Sequence, residues 1–362
     1  MFLKRLRLSN FRNYCELDFE FKTPLTILLG NNAQGKSNFL ESIYFLATTK
    51  SPKADKDDEL IKKGESITRV EGTVECEQEE TNLEIVMQDE EEMGFRKKVK
   101  VNGVPRRSVD YIGNLSVVSF SPEDINLVTG SPSLRRWHID LTLAQIDKEY
   151  KSALTNYEEI VTRKNKVLRM IKEGLAKLDE LDFWSERQFE FGRVVSEKRA
   201  DFFSYLNATE RRFGDFQFEY IQNVLTKERL EEYKGREVGA GASLIGPHRD
   251  DFLFVLSERD LSKFGSRGEH RTAVLDLKIS ESSFFEEKTG RRPILLLDDV
   301  FSELDNEHKK HVVELTKLQQ TVVAGVELDK ETAKSLKDFN LLFVENGKLS
   351  EKAGTSPKPR KE

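Results

Sequence analysis

Eight consecutive residues, Gly30-Asn31-Asn32-Ala33-Gln34-Gly35-Lys36-Ser37, carry the strongest chemical signal in this chain. The two glycines let the backbone curl so that successive N–H groups face an anion, and the helix that follows adds the positive end of its dipole. Lys36 can reach terminal phosphates and the Ser37 hydroxyl can ligate Mg²⁺, so the octet predicts a site for a nucleoside triphosphate such as ATP. A second signal is Ile294-Leu295-Leu296-Leu297-Asp298-Asp299, four apolar residues ending in two carboxylates. At the carboxyl end of a buried strand, Asp298 is placed to hold Mg²⁺ through water, and Asp299 to orient or activate an attacking water. These two are the candidate catalytic residues, and Ser37 and Asp298 the candidate metal ligands. A third signal is Phe264-Gly265-Ser266-Arg267-Gly268-Glu269-His270-Arg271. Here the Ser266 hydroxyl and the N–H of Gly268 stand at a helix start, where a phosphate could be met.

Such chemistry needs elements to position it. Leu25 to Leu29 is a continuous apolar run that reads as a strand entering the glycine loop, and Phe39, Leu40, Ile43 and Leu46 repeat at helical spacing after it. Upstream, Leu3, Leu6 and Leu8 precede Phe11, and Phe19 alternates with Phe21, which predicts two short strands joined by the turn Asn10–Asn13. From Ile67 to Val109 the pattern alternates, with Asn102-Gly103 as a two-residue hairpin turn, so an antiparallel meander is expected there. The acidic run Asp89–Glu92 reads as a solvated loop.

The middle of the chain differs. Ile146, Tyr150, Ala153, Tyr157, Ile160, Val167 and Ile171 form a coiled-coil-like stripe that polar Lys164 interrupts. A second helical stretch runs from Trp184 to Phe213, with the turn near Gly174–Asp182. Together they predict an antiparallel helical hairpin; a plain helical subdomain is the alternative. Strand candidates return at Phe252–Leu256, Ile294–Leu297 and Thr321–Val326, with a helix over Arg271–Ile279. The expected fold is α/β: an ATPase head of mixed sheet with an antiparallel meander, plus an inserted helical hairpin lobe. The expected division is 1–135 and 236–350 for the two parts of the head, 136–235 for the helical lobe and 351–362 for a loose polar tail.

Composition sets outer bounds. The chain has 362 residues, 34% of them charged, and a net charge of -6, so bulk charge does not announce a nucleic-acid binder. Cys15 and Cys76 fit no metal-ligand spacing and read as reduced thiols of a cytoplasmic protein. The basic, alternating start is unlike a signal peptide, and no run approaches the length of a membrane helix, so no membrane role is expected.

The collinear order of these motifs resembles the RecF family, relatives of the SMC proteins. The resemblance is carried by Leu8-Ser9-Asn10-Phe11-Arg12-Asn13-Tyr14, by Phe120-Ser121-Pro122-Glu123-Asp124 with Gly130-Ser131-Pro132 and Arg135-Arg136, by Leu244-Ile245-Gly246-Pro247-His248-Arg249-Asp250-Asp251, and by Asp298 to Asp305. It implies an ABC-type ATPase head that dimerises head to head on ATP, with Ser266 and Gly268 offered to the nucleotide of the opposing copy. Ser302-Glu303-Leu304-Asp305 would then be the loop that crosses to the partner. It further implies weak DNA-dependent hydrolysis used as a switch and preference for duplex or gapped DNA. Action with RecR and RecO to place RecA on single-stranded gaps, and a tie to the SOS response, also follow from it. Two positions depart from the pattern. Glu269 stands where glutamine is usual, an extra carboxylate that Arg267 or Arg271 would have to compensate. The segment Thr321-Val322-Val323-Ala324-Gly325 lacks the usual threonine-rich character, which leaves the γ-phosphate sensor unassigned and points to slower turnover.

DNA would need converging cations. The basic groups available are Lys4/Arg5/Arg7, Arg106/Arg107, Arg135/Arg136, Arg163/Lys164/Lys166/Arg169, Arg211/Arg212 and the tail Lys358/Arg360/Lys361. Two other readings of the motifs are an ATPase subunit of a transporter and an ATP-binding scaffold with negligible hydrolysis.

Overall fold

In the computed structural model the described residues are 1–54, 56–90, 94–211, 213–303, 306–336 and 338–351. Leu304 and Asp305 of the crossing loop, Glu91 and Glu92 of the acidic run, Arg212 and the tail from Lys352 lie outside them. The chain forms two compact units, Met1–Pro122 with Arg291–Glu362, and Glu123–Gly290. The sequence reading grouped 236–290 with the head and 123–135 likewise. The contacts group both with the helical pair, for reasons of packing given below.

The first unit contains strands β1 Phe2–Phe11, β2 Tyr14–Glu20, β3 Leu25–Leu29, β4 Ile67–Cys76, β5 Glu79–Glu90, β6 Gly94–Val101, β7 Val104–Arg106, β8 Val117–Phe120, β12 Ile294–Asp298, β13 Thr321–Gly325, β14 Phe339–Glu345 and β15 Lys348–Glu351. Its helices are α1 Lys36–Thr48, α2 Ser108–Tyr111, α10 Val300–Glu303, α11 Asn306–Thr316 and α12 Lys330–Ser335. Two six-stranded sheets result. One, in the order β2-β1-β4-β5-β6-β7, is wholly antiparallel; the other, β15-β14-β3-β13-β12-β8, is parallel except for its edge strand β15.

The expected meander is therefore present over β4 to β7. Asn102 and Gly103 both take positive φ, 52° and 76°, as a tight hairpin between right-twisted strands requires. Val109 falls instead in α2. In β1 the buried leucines are spaced three and then two apart. A register shift between Leu3 and Arg5 absorbs the extra residue and keeps Leu3, Leu6 and Leu8 on the inner face.

Helix α1 contacts strands of both sheets, which explains why it is buried on nearly every side from Phe39 to Thr48. Gly72 of β4 permits the close approach, since a Cβ there would stand 2.4 Å from Leu46. Strand β12 is buried along its whole length between β8 and β13, as its unbroken apolar run predicts.

The second unit contains α3 Asn126–Thr129, α4 Pro132–Ile146, α5 Lys148–Lys172, α6 Glu180–Ala208, β9 Phe216–Ile221, α7 Lys227–Ala240, β10 Asp251–Leu256, β11 Arg259–Asp260, α8 Leu261–Phe264 and α9 Arg267–Thr289. Helices α5 and α6 pair, joined at the predicted turn. The stripe needs three corrections. Asp147 caps α5 by accepting from the N–H groups of Glu149 and Tyr150, so Ile146 belongs to the preceding helix. The buried line then runs Tyr150, Ala153, Tyr157, Ile160, Lys164, Leu168, so Lys164 belongs to it rather than breaking it, and Leu168 takes the place of Val167 and Ile171, which are only half-buried. Its ammonium is buried against Glu237 at 2.7 Å and Gln188 at 2.8 Å.

Aromatic packing binds β9, β10 and α9 to this helical pair. Phe203 of α6 stacks on Tyr220 of β9 and meets Phe252 of β10, while Phe202 meets Phe284 of α9. Each such pair adds about 0.5–1.5 kcal/mol beyond the area it buries. This is why the segment 236–290 joins the helices.

Candidate functional site

All parallel strands of the second sheet end at one edge, so the carboxyl ends of β3, β13 and β12 are neighbours. A cleft of about 280 Å³ lies there, lined by Asn32, Ala33, Gly35, Lys36, Ser37, Asn38, Asp298, Asp299 and Val326. Residues far apart in sequence are thus brought together as expected. The Ser37 hydroxyl donates to Asp298 Oδ1 at 3.0 Å.

The glycine loop is braced from behind. Gly35 has φ 116°, and a Cβ at that position would stand 2.6 Å from the Asn13 amide. Asn13 donates to Gln34 O at 3.0 Å and accepts from Asn38 at 2.8 Å, while the Tyr14 hydroxyl donates to Gly35 O at 2.9 Å. The β14–β15 turn adds two more bonds: Asn346 N donates to Gln34 Oε1 at 2.8 Å and Gly347 N to Gln34 O at 2.9 Å. A Cβ on Gly30 would meet Val344 O of β14 at 2.5 Å, so the loop starts hard against that strand. Ala33, at φ 62°, and Asp299, at φ 52°, hold left-handed backbone at the cleft, where strain of about 1–3 kcal/mol per residue is often kept. Asp299 is fixed there by its N–H, which donates to Ala324 O at 2.9 Å.

Lys36 closes the loop into a ring, donating to Gly30 O and Asn31 O, both at 2.8 Å. Burial pulls its pKa below the usual lysine value, and the nearby Asp298 and Asp299 carboxylates oppose that pull. Lys53, absent from the sequence reading, lies 2.9 Å from Asp298 Oδ2. Arg12, quoted only for the resemblance, makes two bonds of 2.9 and 2.6 Å to the buried Glu41 carboxylate on α1. Neither contact has a local sequence signal.

The donor set suits a hard divalent cation. One hydroxyl and one carboxylate leave most positions to water and phosphate oxygens, as Mg²⁺ prefers. Among the described residues no cluster of three or more His, Cys, Asp or Glu offers another metal site. Cys15 and Cys76 are both free thiols.

Ser266 and Gly268 lie in the second unit, at the start of α9. Ser266 is the N-cap: its Oγ accepts from Glu269 N at 3.2 Å, and Glu269 Oε2 accepts from Ser266 N at 2.7 Å. Glu269 is thus the second member of a capping box, three residues after the N-cap, a place that glutamine fills equally well. That explains the unusual carboxylate, and a guanidinium stands 3.5 Å from it, that of Arg259. The backbone N–H of Ser266 depresses the Glu269 pKa. The segment Thr321–Gly325 is the buried interior strand β13, with Thr321 at the end away from the cleft.

Several cations proposed for DNA turn out to be internal. Arg135 is buried and forms a two-pronged pair with Asp251 at 2.6 and 2.9 Å. Arg136 donates to Asp250 O at 2.7 Å, and Arg211 pairs with buried Asp276 at 2.9 Å. Lys4, Arg5 and Arg7 stay at the surface, Lys4 pairing with Glu80 and Glu75 and both arginines with Asp18.

The run Ile245 to Asp251 is a structural knot. Asp250 is 1% exposed and accepts from Arg199 at 2.9 Å, the Tyr220 hydroxyl at 2.5 Å and Asn223 N at 2.7 Å. Arg199 also bonds Asp140 at 2.7 Å and Pro247 O at 2.8 Å. Gly246, at φ 116°, leaves no room for a Cβ beside the Tyr157 hydroxyl, which itself bonds His248 Nδ1 at 2.6 Å. Burial lowers the His248 pKa to about 4.

Comparison with known proteins agrees with this architecture. The family model described as the RecF/RecN/SMC N terminal domain matches residues 2–348. A DNA replication and repair protein RecF from Halalkalibacterium halodurans is 36% identical, covering 97% of this chain and 100% of that protein. A solved structure of the recombination mediator protein RecF with ATP, in the RecFOR pathway, has a TM-score of 0.88 at 29% identity and covers 97% of this chain and 98% of that one. An SMC head bound to the C-winged helix domain of ScpA, 16% identical with a TM-score of 0.50 over 96% of each chain, shares the fold. With its ABC/SMC-type α/β fold and near full-length similarity to these repair proteins, the chain belongs to the RecF family of DNA replication and repair proteins.

Proposed function

We propose that the chain binds ATP with Mg²⁺ in the cleft at the ends of β3, β13 and β12, and that nucleotide controls its grip on DNA during recombinational repair. The observation that carries this reading is the meeting of Ser37 with Asp298 at 3.0 Å beside the glycine loop. In this reading the loop amides and the N-terminus of α1 hold the phosphates. Lys36 trades its bonds to Gly30 O and Asn31 O for β/γ-phosphate oxygens. Ser37 and Asp298 hold the metal, which supplies charge neutralisation to the phosphates. Asp299 orients the attacking water. Hydrolysis is weak, DNA-dependent and serves as a switch.

The rest follows the family. Two copies close on ATP, each offering Ser266 and Gly268 to the other's nucleotide. The dimer holds duplex DNA or a single-strand/double-strand junction and works with RecO and RecR to place RecA at gaps. Family membership favours this over the transporter-type reading. A scaffold with negligible hydrolysis is the second reading, favoured by apolar Val326 where β13 reaches the cleft. For DNA in the first unit, the groove lined by Thr49, Lys50, Lys97, Lys98, Pro105 and Arg106 offers Lys50, Lys98 and Arg106, while Lys97 there is already paired with Asp57 at 2.6 Å. Its contacts would be to phosphate, so affinity would fall steeply with salt.

ATP turnover with and without duplex DNA, in wild type and Lys36→Ala, tests the reading. DNA-stimulated turnover lost in the variant supports it. Nucleotide binding without turnover favours the scaffold. Unchanged ATP binding in Lys36→Ala removes the assignment of the loop.

A further inference from the structure

Resting on the Mg²⁺ site just proposed, we infer that Lys53 is a built-in counter-ion of Asp298 that magnesium must displace. Asp298 lies deep at the cleft with both carboxylate oxygens engaged. Oδ1 accepts from Ser37 Oγ at 3.0 Å, and Oδ2 from the Lys53 ammonium at 2.9 Å. The serine and carboxylate are the groups assigned to the metal, so the ammonium occupies the carboxylate on which the metal, or the water that carries it, would bear. Two cations that close repel each other, and a nearly buried position weakens screening by water. Metal binding and the Lys53–Asp298 bond therefore exclude each other.

The backbone under Lys53 is fixed, and a long side chain carries the ammonium from there to Asp298. The Ser51 hydroxyl accepts from Lys53 N at 2.9 Å and from Ala54 N at 3.1 Å, and donates to Glu41 at 2.5 Å. Glu41 lies on α1, the helix that begins with Lys36 and Ser37, and Arg12 grips it with two further bonds. The exchange is then a swing of the flexible four-carbon stem, with no need to move the loop. The lysine keeps Asp298 neutralised in the absence of metal and sets a threshold that Mg²⁺ has to exceed.

The experiment is a Mg²⁺ titration of the full chain at fixed concentration of a fluorescent ATP analogue, following its binding. The Mg²⁺ concentration at half-saturation should fall about fivefold or more in Lys53→Met, the lower range of coupling between two ligands at one protein. Lys53→Gln should behave alike, and Lys53→Arg should stay near wild type. A second readout uses no nucleotide: at constant ionic strength, MgCl₂ should raise Tm more in Lys53→Met than in wild type. An unchanged or higher Mg²⁺ requirement in both Lys53→Met and Lys53→Gln overturns the inference and leaves the site assignment standing. Analogue binding indifferent to Mg²⁺ in wild type overturns the site assignment, and the inference with it.

Discussion

Both units concentrate charged residues, but they use them in opposite ways. In the first unit, Lys36, Ser37, Asp298 and Asp299 line a hollow, and the partners of the first three are exchangeable: carbonyls, a hydroxyl, one lysine. In the second, Arg199, Asp250, Asp140 and Tyr220 saturate one another, as do Lys164, Glu237, Gln188 and Ser243. The first arrangement leaves bonding capacity for a ligand. The second spends it on the fold. A conspicuous polar motif is therefore not a site until its partners are known. Ile245–Asp251 is as distinctive in sequence as Gly30–Ser37, yet it holds the helical pair and β10 together.

The contrast can be broken by substitution. Arg199→Met strands buried Asp250 without its guanidinium, and loss of one partner of a buried pair costs about 3–5 kcal/mol. Urea unfolding of the full chain should show it as a lower midpoint; a loss under about 1 kcal/mol would remove the knot from the fold's supports. Lys36→Ala should do the reverse. Stability should change little, because the lysine gives up a burial penalty, while ATP affinity falls about 100-fold, equivalent to about 2.7 kcal/mol. Equal damage to stability and binding in either variant would erase the distinction between the units.

Acid should act on the second unit through His248. Its folded pKa, about 4, lies below the ordinary 6.5, so the unfolded chain binds the extra proton between those values. Stability should be full above about pH 6.5 and decline toward pH 4, by up to about 3 kcal/mol from this group alone. His248→Gln should flatten the midpoint-against-pH curve over that window; an unchanged slope would mean the ring is not the titrating group. The smallest effects concern the cap of α9. Ser266→Ala should cost about 1 kcal/mol, whereas Glu269→Gln should cost nearly nothing, since either residue closes the box. A large loss in Glu269→Gln would show that the carboxylate has a task beyond capping.

How much could be read in advance depended on the range over which each contact acts. The glycine loop, its strand, its helix and the carboxylates at the end of β12 were legible because spacing along a few residues fixes them. Asn102-Gly103 announced its turn for the same reason. Lys53 was not legible, since its partner Asp298 is 245 residues away. Nor was the brace of the loop by Asn13, Asn346 and Gly347. Burial of charge was equally hidden. Arg135, Lys164 and Arg211 looked like surface cations, because nothing in a lysine or arginine tells the reader that a carboxylate waits inside. The capping role of Asp147, which reassigns Ile146, shows the remaining error: one local hydrogen bond can override a long apolar rhythm.

The bonds from Asn346 and Gly347 to Gln34 also bear on how the molecule is made. Strand β3 sits between β13 and β14, so both neighbours of the first strand in this sheet leave the ribosome roughly 300 residues after it. A nascent chain stalled before Phe339 has emerged thus carries the entire glycine octet braced by Asn13 and Tyr14 but without the side of its wall that Val344, Asn346 and Gly347 supply. Nucleotide capture becomes a property of nearly finished protein, and such distant pairings make for slow maturation.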